Sequence, residues 1–225
     1  MLNLSEKLRI DWPEAAAGVL VVRNVTNPQN HPALEQAKSA LEARLREQFG
    51  ALDRAAIKAL PHIQAYNNYY KAFDKTYHVQ LQLESVVFKG KSIPRVAALV
   101  EAMFMAELGD QLLTAGHDLD KVDLPLGIES AGGGETFTTM SGQEQALKPK
   151  DMFIHDQSGI LSSILYGPDR RTAIAPETTS ALYTVYGVPG IGRDDLLAHL
   201  HQIEATIRLF APTARTETLE IFPVK

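Results

Sequence analysis

The sequence predicts an α+β fold in a single domain over residues 1–225, with a helical N-terminal part packed on a β-rich C-terminal part. Three observations carry this expectation. Apolar residues recur at helical spacing from about residue 30 to residue 108. After Gly116 they fall into short β-rich segments separated by turns. A second strongly amphipathic helix and a last apolar strand then close the chain, and no repeat or linker interrupts it.

In chain order, the β-branched run Val19–Asn24 reads as a buried strand, with Leu8–Ile10 as a possible partner. Asn30 is placed to cap a helix with Leu34, Ala37, Leu41, Leu45 and Phe49 on one face, and Gly50 to end it. Ala51–Tyr77 reads as helical and carries Tyr66, Tyr69, Tyr70 and Tyr77; further helical patterns cover Leu81–Phe88 and Val96–Leu108. Strands are expected at Leu126–Ala131, Thr136–Met140, Met152–His155, Ile160–Tyr166 and Ala181–Tyr186. The closing helix runs from about Asp194 to Phe210, and Leu219–Phe222 supplies an edge strand.

Composition removes several chemistries. With no cysteine there is no disulfide, thiolate nucleophile or thiolate metal site, which suits a reducing, cytoplasmic setting. Met1–Asp11 lacks the pattern of a secretory signal, and no apolar run is long enough to span a bilayer, so no membrane partner is expected. A net charge of −5 argues against indiscriminate nucleic-acid binding, DNA included; any RNA contact needs a local basic patch. The histidines show no metalloprotease spacing, and His199 and His201 fall on different faces of one helix, so no metal or other cofactor is expected. Lys89-Gly90-Lys91-Ser92 ends like a phosphate-binding loop, but Ser85 stands where that loop needs its first glycine. No nucleophile-elbow motif occurs.

The informative stretch runs from His117-Asp118-Leu119-Asp120-Lys121 through Gly134-Glu135-Thr136, Ser141-Gly142, Asp151, His155-Asp156 and Tyr166–Thr172 to Glu177-Thr178. In order and spacing this series resembles the B3/B4 tRNA-editing domain of phenylalanyl-tRNA synthetase β chains, best over residues 66–187. The resemblance implies a free-standing domain with a sandwich-like β-rich part, which hydrolyses the ester of a mischarged aminoacyl-tRNA by ordered-water attack. In the synthetase the substrate is tyrosine on phenylalanine tRNA; for free-standing relatives it includes an arginine analogue, canavanine. The alternative is a non-catalytic pocket for an amino acid or small metabolite on the same fold.

Carried over by position, His117 is matched to the family histidine beside the ester, and Ser162-Ser163 to a Gly-Gly pair in the pocket floor. The backbone and hydroxyls of these serines would serve as oxyanion donors. Thr184 falls on the glutamate that recognises the tyrosine hydroxyl, so tyrosine specificity is not expected here; Phe104 replaces an asparagine. Glu129, Glu135 and Asp169 are the candidate side-chain selectors, and a carboxylate-lined pocket suits a cationic or hydroxylated residue. Arg170-Arg171, and second Lys89, Lys91 and Arg95, are the candidate contacts to tRNA phosphates. On the residues alone, His117 capping a helix end or bonding Asp120 is the simpler reading. Likewise the tyrosines suit core packing as well as a platform for the terminal adenine.

Overall fold

The computed structural model describes residues 2–223. It opens with β1 (Leu2–Leu4) and a short helix α1 (Glu6–Asp11). The expected strand at Leu8–Ile10 is corrected here. Ser5 Oγ accepts the Leu8 amide at 3.1 Å, and this N-cap starts a helix instead. The apolar run forms β2 (Ala16–Arg23), and five helices follow: α2 (Pro32–Phe49), α3 (Arg54–Lys58), α4 (Pro61–Lys71), α5 (His78–Lys89) and α6 (Ala98–Asp110). His31 rather than Asn30 takes the first cap, with Pro32 in the first turn. The single helix read across residues 51–77 is two, because Pro61 starts a new one.

Besides a 3-10 turn at Leu119–Lys121, ten strands and helices follow among the described residues. They are β3 (Thr114–Asp118), β4 (Leu126–Ser130), β5 (Thr136–Thr138), β6 (Glu144–Ala146), β7 (Met152–His155), β8 (Ile160–Ser163), β9 (Gly167–Pro168), β10 (Ser180–Gly187), α7 (Arg193–Arg208) and β11 (Arg215–Pro223). One sheet has the order β1-β4-β7-β8-β9 and the other β11-β2-β10-β3, with β5-β6 a separate hairpin. β1 and β4 run parallel and the other pairs are antiparallel.

The two sheets face each other, and α6 and α7 cover the outer face of the second. Tyr183 hydroxyl reaches the Leu99 carbonyl of α6 at 2.9 Å. Gly18 brings α7 close to β2: a Cβ there would lie 2.6 Å from Val185 and 3.0 Å from Leu200. The four tyrosines of the helical part tie it to the rest. Tyr66 donates to the Tyr186 carbonyl, Tyr69 to Asp151 at 3.1 Å, Tyr70 to the Ile164 carbonyl at 2.6 Å and Tyr77 to the Gln111 carbonyl at 2.9 Å. All four rings are buried, so here they are core packing with satisfied hydroxyls.

One continuous core runs from Leu2 to Ala214 through helices and both sheets. A single cooperative unfolding transition is therefore expected by calorimetry; two halves each stable after limited proteolysis would contradict it.

Candidate functional site

At the open edge of the sandwich, where β3 and β9 end their sheets, α5 and α6 close off a cleft of about 260 Å³. Its walls are mainly apolar, with Met103 and Phe104 on α6, Ile164 after β8, and Pro168 and Ile174 from the segment beyond. The polar lining is sparse: His78 and Gln82 on α5, Glu107 on α6, Thr114 on β3, Ser163 on β8 and Tyr186 on β10. Apolar walls with a few convergent polar groups are the usual makeup of a small-molecule site.

Two buried acids stand out. Glu107 is 2% exposed, and burial pushes its carboxyl up to about 8 against a 2.9 Å hydrogen bond from the Thr114 amide. Asp110 nearby pushes the same way as burial. Asp151 lies behind Ser163, and burial raises it to about 7 although the nearby Ser163 hydroxyl and the Tyr69 hydroxyl oppose the shift. Tyr69 donates to Oδ1 at 3.1 Å, and Oδ2 has no hydrogen-bond partner among the described residues. Ser163 Oγ also accepts the Tyr166 amide at 3.1 Å, so its hydroxyl is held in place at the cleft floor.

Of the residues expected to form the site, Ser163 is the one that lines this cleft. His117 is fully buried on β3, opposite Leu182 of β10 and facing the interior between the sheets. Its Nδ1 lies 2.8 Å from Thr172 Oγ1, and the Thr172 hydroxyl donates to Asp169. That chain places the imidazole proton on Nδ1 and leaves Nε2 with no partner among the described residues. Burial first, then the charge of Arg171, hold His117 down at about 3, with Asp156 opposing. The ring is thus neutral, and what it does in the fold is anchor Thr172, just before the cleft-lining Ala173 and Ile174.

Ser162 is turned inward, its Oγ 2.6 Å from the Tyr186 hydroxyl. Thr184 is also fully buried between the sheets, on the same face as His117, and its hydroxyl has no partner among the described residues. Asp169 is buried, and burial raises its carboxyl above the ordinary range. Glu129 lies elsewhere, on a shallow groove beside β1. Glu135 is tied to its own turn, accepting the Gly132 and Gly133 amides at 2.7 and 2.8 Å. Glu129, Glu135, Thr184 and His117 are therefore not brought together at the cleft.

The basic candidates separate in the same way. Arg171 is internally matched, with two hydrogen bonds to Asp156 at 2.9 and 3.0 Å and a third to the Lys121 carbonyl. Arg95 pairs with Glu35 at 2.8 Å. Arg170, Lys89 and Lys91 are exposed, and Gly90 takes a left-handed φ of 64° to end α5. The Lys-Gly-Lys-Ser stretch therefore closes a helix, whereas a phosphate-binding loop opens one. Arg171→Ala is expected to cost about 1–3 kcal/mol by stranding buried Asp156, and Arg170→Ala less than about 0.5 kcal/mol, measured by denaturant titration.

Sequence reasoning passed over Glu107. The signal was two acids, Glu101 and Glu107, within the apolar run of α6; Lys38 pairs with Glu101, while Glu107 has no cationic partner among the described residues.

The fold and site define a helix-covered β-sandwich with an apolar cleft and a buried acid at its open edge. The B3/4 domain model matches residues 64–201, more than half of the sequence, and the chain belongs to that family. No curated protein sequence matches it. Among solved structures it is similar to an N-terminal fragment of the phenylalanyl-tRNA synthetase β-subunit from Pyrococcus horikoshii, with a TM-score of 0.51 and 11% identity. That match covers 99% of this chain and 54% of the fragment, so the chain spans about half the fragment's length, and the likeness is one of fold. Among the described residues no helix is long and apolar enough to cross a membrane, and no group of three or more His, Asp or Glu is placed to hold a metal ion.

Proposed function

We propose that the cleft hydrolyses an aminoacyl ester and clears a mischarged tRNA in trans, preferring a long side chain with an apolar stem and a cationic head. One observation carries this reading: every residue lining the cleft, from His78 to Tyr186, falls within the matched family segment, 64–201. The apolar walls suit the stem, and Glu107 is the acid the cleft contains for the head. An arginine analogue fits that description better than tyrosine does.

The chemistry needs no covalent intermediate. Water attacks the ester carbonyl carbon and passes its proton to Ser163 Oγ, while the Ser163 hydroxyl proton moves to Asp151. With a pKa of about 7, Asp151 is balanced between its two forms near neutral pH, as a general base should be. Collapse of the tetrahedral intermediate breaks the carbon–oxygen bond to ribose, and the proton returns to the leaving ribose oxygen. His117 acts at a distance, as a positioning residue for the wall beyond β9.

The test is a deacylation screen over mischarged tRNAs. Esters of arginine-like amino acids are expected to turn over fastest, with tyrosyl ester about tenfold or more slower. Fastest release of tyrosine would overturn the assignment of the cleft. Tight binding of a free amino acid with no ester turnover would favour a binding protein instead.

A further inference from the structure

A second concavity, of about 590 Å³, lies along α3, α4 and the start of α5, and its chemistry is the opposite of the cleft's. Lys58, Lys71 and Lys75 line it together with side-chain amides such as Gln64 and Asn68, and no carboxylate does. Asp74 neighbours Lys75 in sequence but does not line the groove. Elsewhere Lys7, Lys38, Lys121 and Lys150 are each matched by an acid. Lys58, Lys71 and Lys75 form no ion pair among the described residues. In a chain of net charge −5, three unmatched lysines facing one groove lined with neutral donors form a local anion-binding surface.

Tyr166 relates the groove to the cleft. Lys75 Nζ sits 4.5 Å above the centre of the Tyr166 ring, and the Tyr166 amide donates to Ser163 at the cleft floor. His78, at the N-terminus of α5, lines the cleft three residues beyond Lys75. A polyanion lying in the groove would bring its end to the cleft mouth.

We propose that this groove holds the backbone phosphates of the tRNA acceptor end, with Lys58, Lys71 and Lys75 as the phosphate contacts. The proposal rests on the reading of the cleft as an aminoacyl-ester hydrolase. It moves the RNA surface away from Arg170-Arg171 and Lys89, Lys91 and Arg95. Of these, Arg171 and Arg95 are already neutralised by Asp156 and Glu35.

The experiment compares the full chain with the variant Lys58→Glu/Lys71→Glu/Lys75→Glu and the control Lys89→Glu/Lys91→Glu. All five positions are exposed, and circular dichroism checks the fold. Binding of tRNA is measured against salt, and hydrolysis is measured on an aminoacyl-adenosine lacking the phosphate backbone. The triple variant is expected to bind tRNA at least tenfold more weakly at low salt. Its slope of log K against log salt should be shallower by about 2–3, at about 0.7–0.9 per phosphate contact. Its plateau rate on aminoacyl-adenosine should stay within twofold of wild type, read across pH because the Lys75 charge lowers the Asp151 carboxyl, and the control should bind tRNA like wild type. Unchanged binding and slope in the triple variant, or loss confined to the control, overturns the proposal. Absence of tRNA binding by wild type overturns it too; turnover of aminoacyl-adenosine then shows whether the cleft assignment survives on its own.

Discussion

Glu107→Gln is expected to make the protein more stable and less selective. In the fold the carboxyl titrates at about 8, against an ordinary value near 4.5, because burial disfavours its charged form. The folded state therefore holds a proton that the unfolded state releases. The stability this provides is complete below about pH 4.5 and is lost as pH rises to about 8. Glutamine keeps an acceptor for the Thr114 amide and does not titrate. The variant's advantage should be near zero at pH 4, grow through pH 5–8 and level off at roughly 2–4 kcal/mol, read from melting curves across pH. In catalysis the loss should be selective. A charge-assisted hydrogen bond contributes about 1.5–3 kcal/mol, so kcat/KM for esters with cationic side chains should fall about ten- to hundredfold. Neutral esters should change little. Equal loss on both kinds would place Glu107 in the chemistry rather than in selection.

His117→Ala should be the most destabilising single change of those considered. It opens a cavity between the sheets and removes the donor to Thr172 Oγ1, at a cost of about 2–4 kcal/mol at pH 7. The pH dependence runs opposite to that of Glu107. With a folded pKa of about 3 against an ordinary 6.5, the imidazole resists protonation when buried. Its contribution is present above about pH 6.5 and is lost as pH falls toward 3. The stability gap between wild type and His117→Ala should therefore narrow from pH 7 to pH 4. A gap that widens on acidification would mean that the ring is charged in the fold. Hydrolysis should fall mainly through kcat, because the wall carrying Ala173 and Ile174 loses its anchor, and the pH profile should keep its shape.

The long elements were legible in the sequence because periodicity reports burial. The helices near residues 34–49 and 194–208 and the strand at Met152–His155 follow directly from it. The strand β3 was not legible. Thr114-Ala115-Gly116-His117-Asp118 has neither apolar alternation nor β-branched bulk beyond Thr114, and it is a strand because β10 pairs with it along Ala181–Val185. That omission propagated into the site. With β3 unrecognised, nothing in the sequence could show that His117 points between the sheets while Thr114 and Gly116 reach the cleft. The ordered motif series found the right domain, since the cleft lies within it, yet several of its conspicuous residues hold turns and walls. Glu135 closes a turn, Asp169 anchors Thr172 and Arg171 neutralises Asp156.

The most direct test of the cleft as a hydrolase is the pH dependence of kcat/KM on the fastest aminoacyl-adenosine ester, for wild type, Ser163→Ala and Asp151→Asn. The account predicts a wild-type rate that rises with pH and turns near 7, as Asp151 loses its proton. Both variants should fall at least a hundredfold and lose that turn, while Asp151→Asn gains stability above pH 7. Wild-type rates and an unshifted profile in both variants would contradict it.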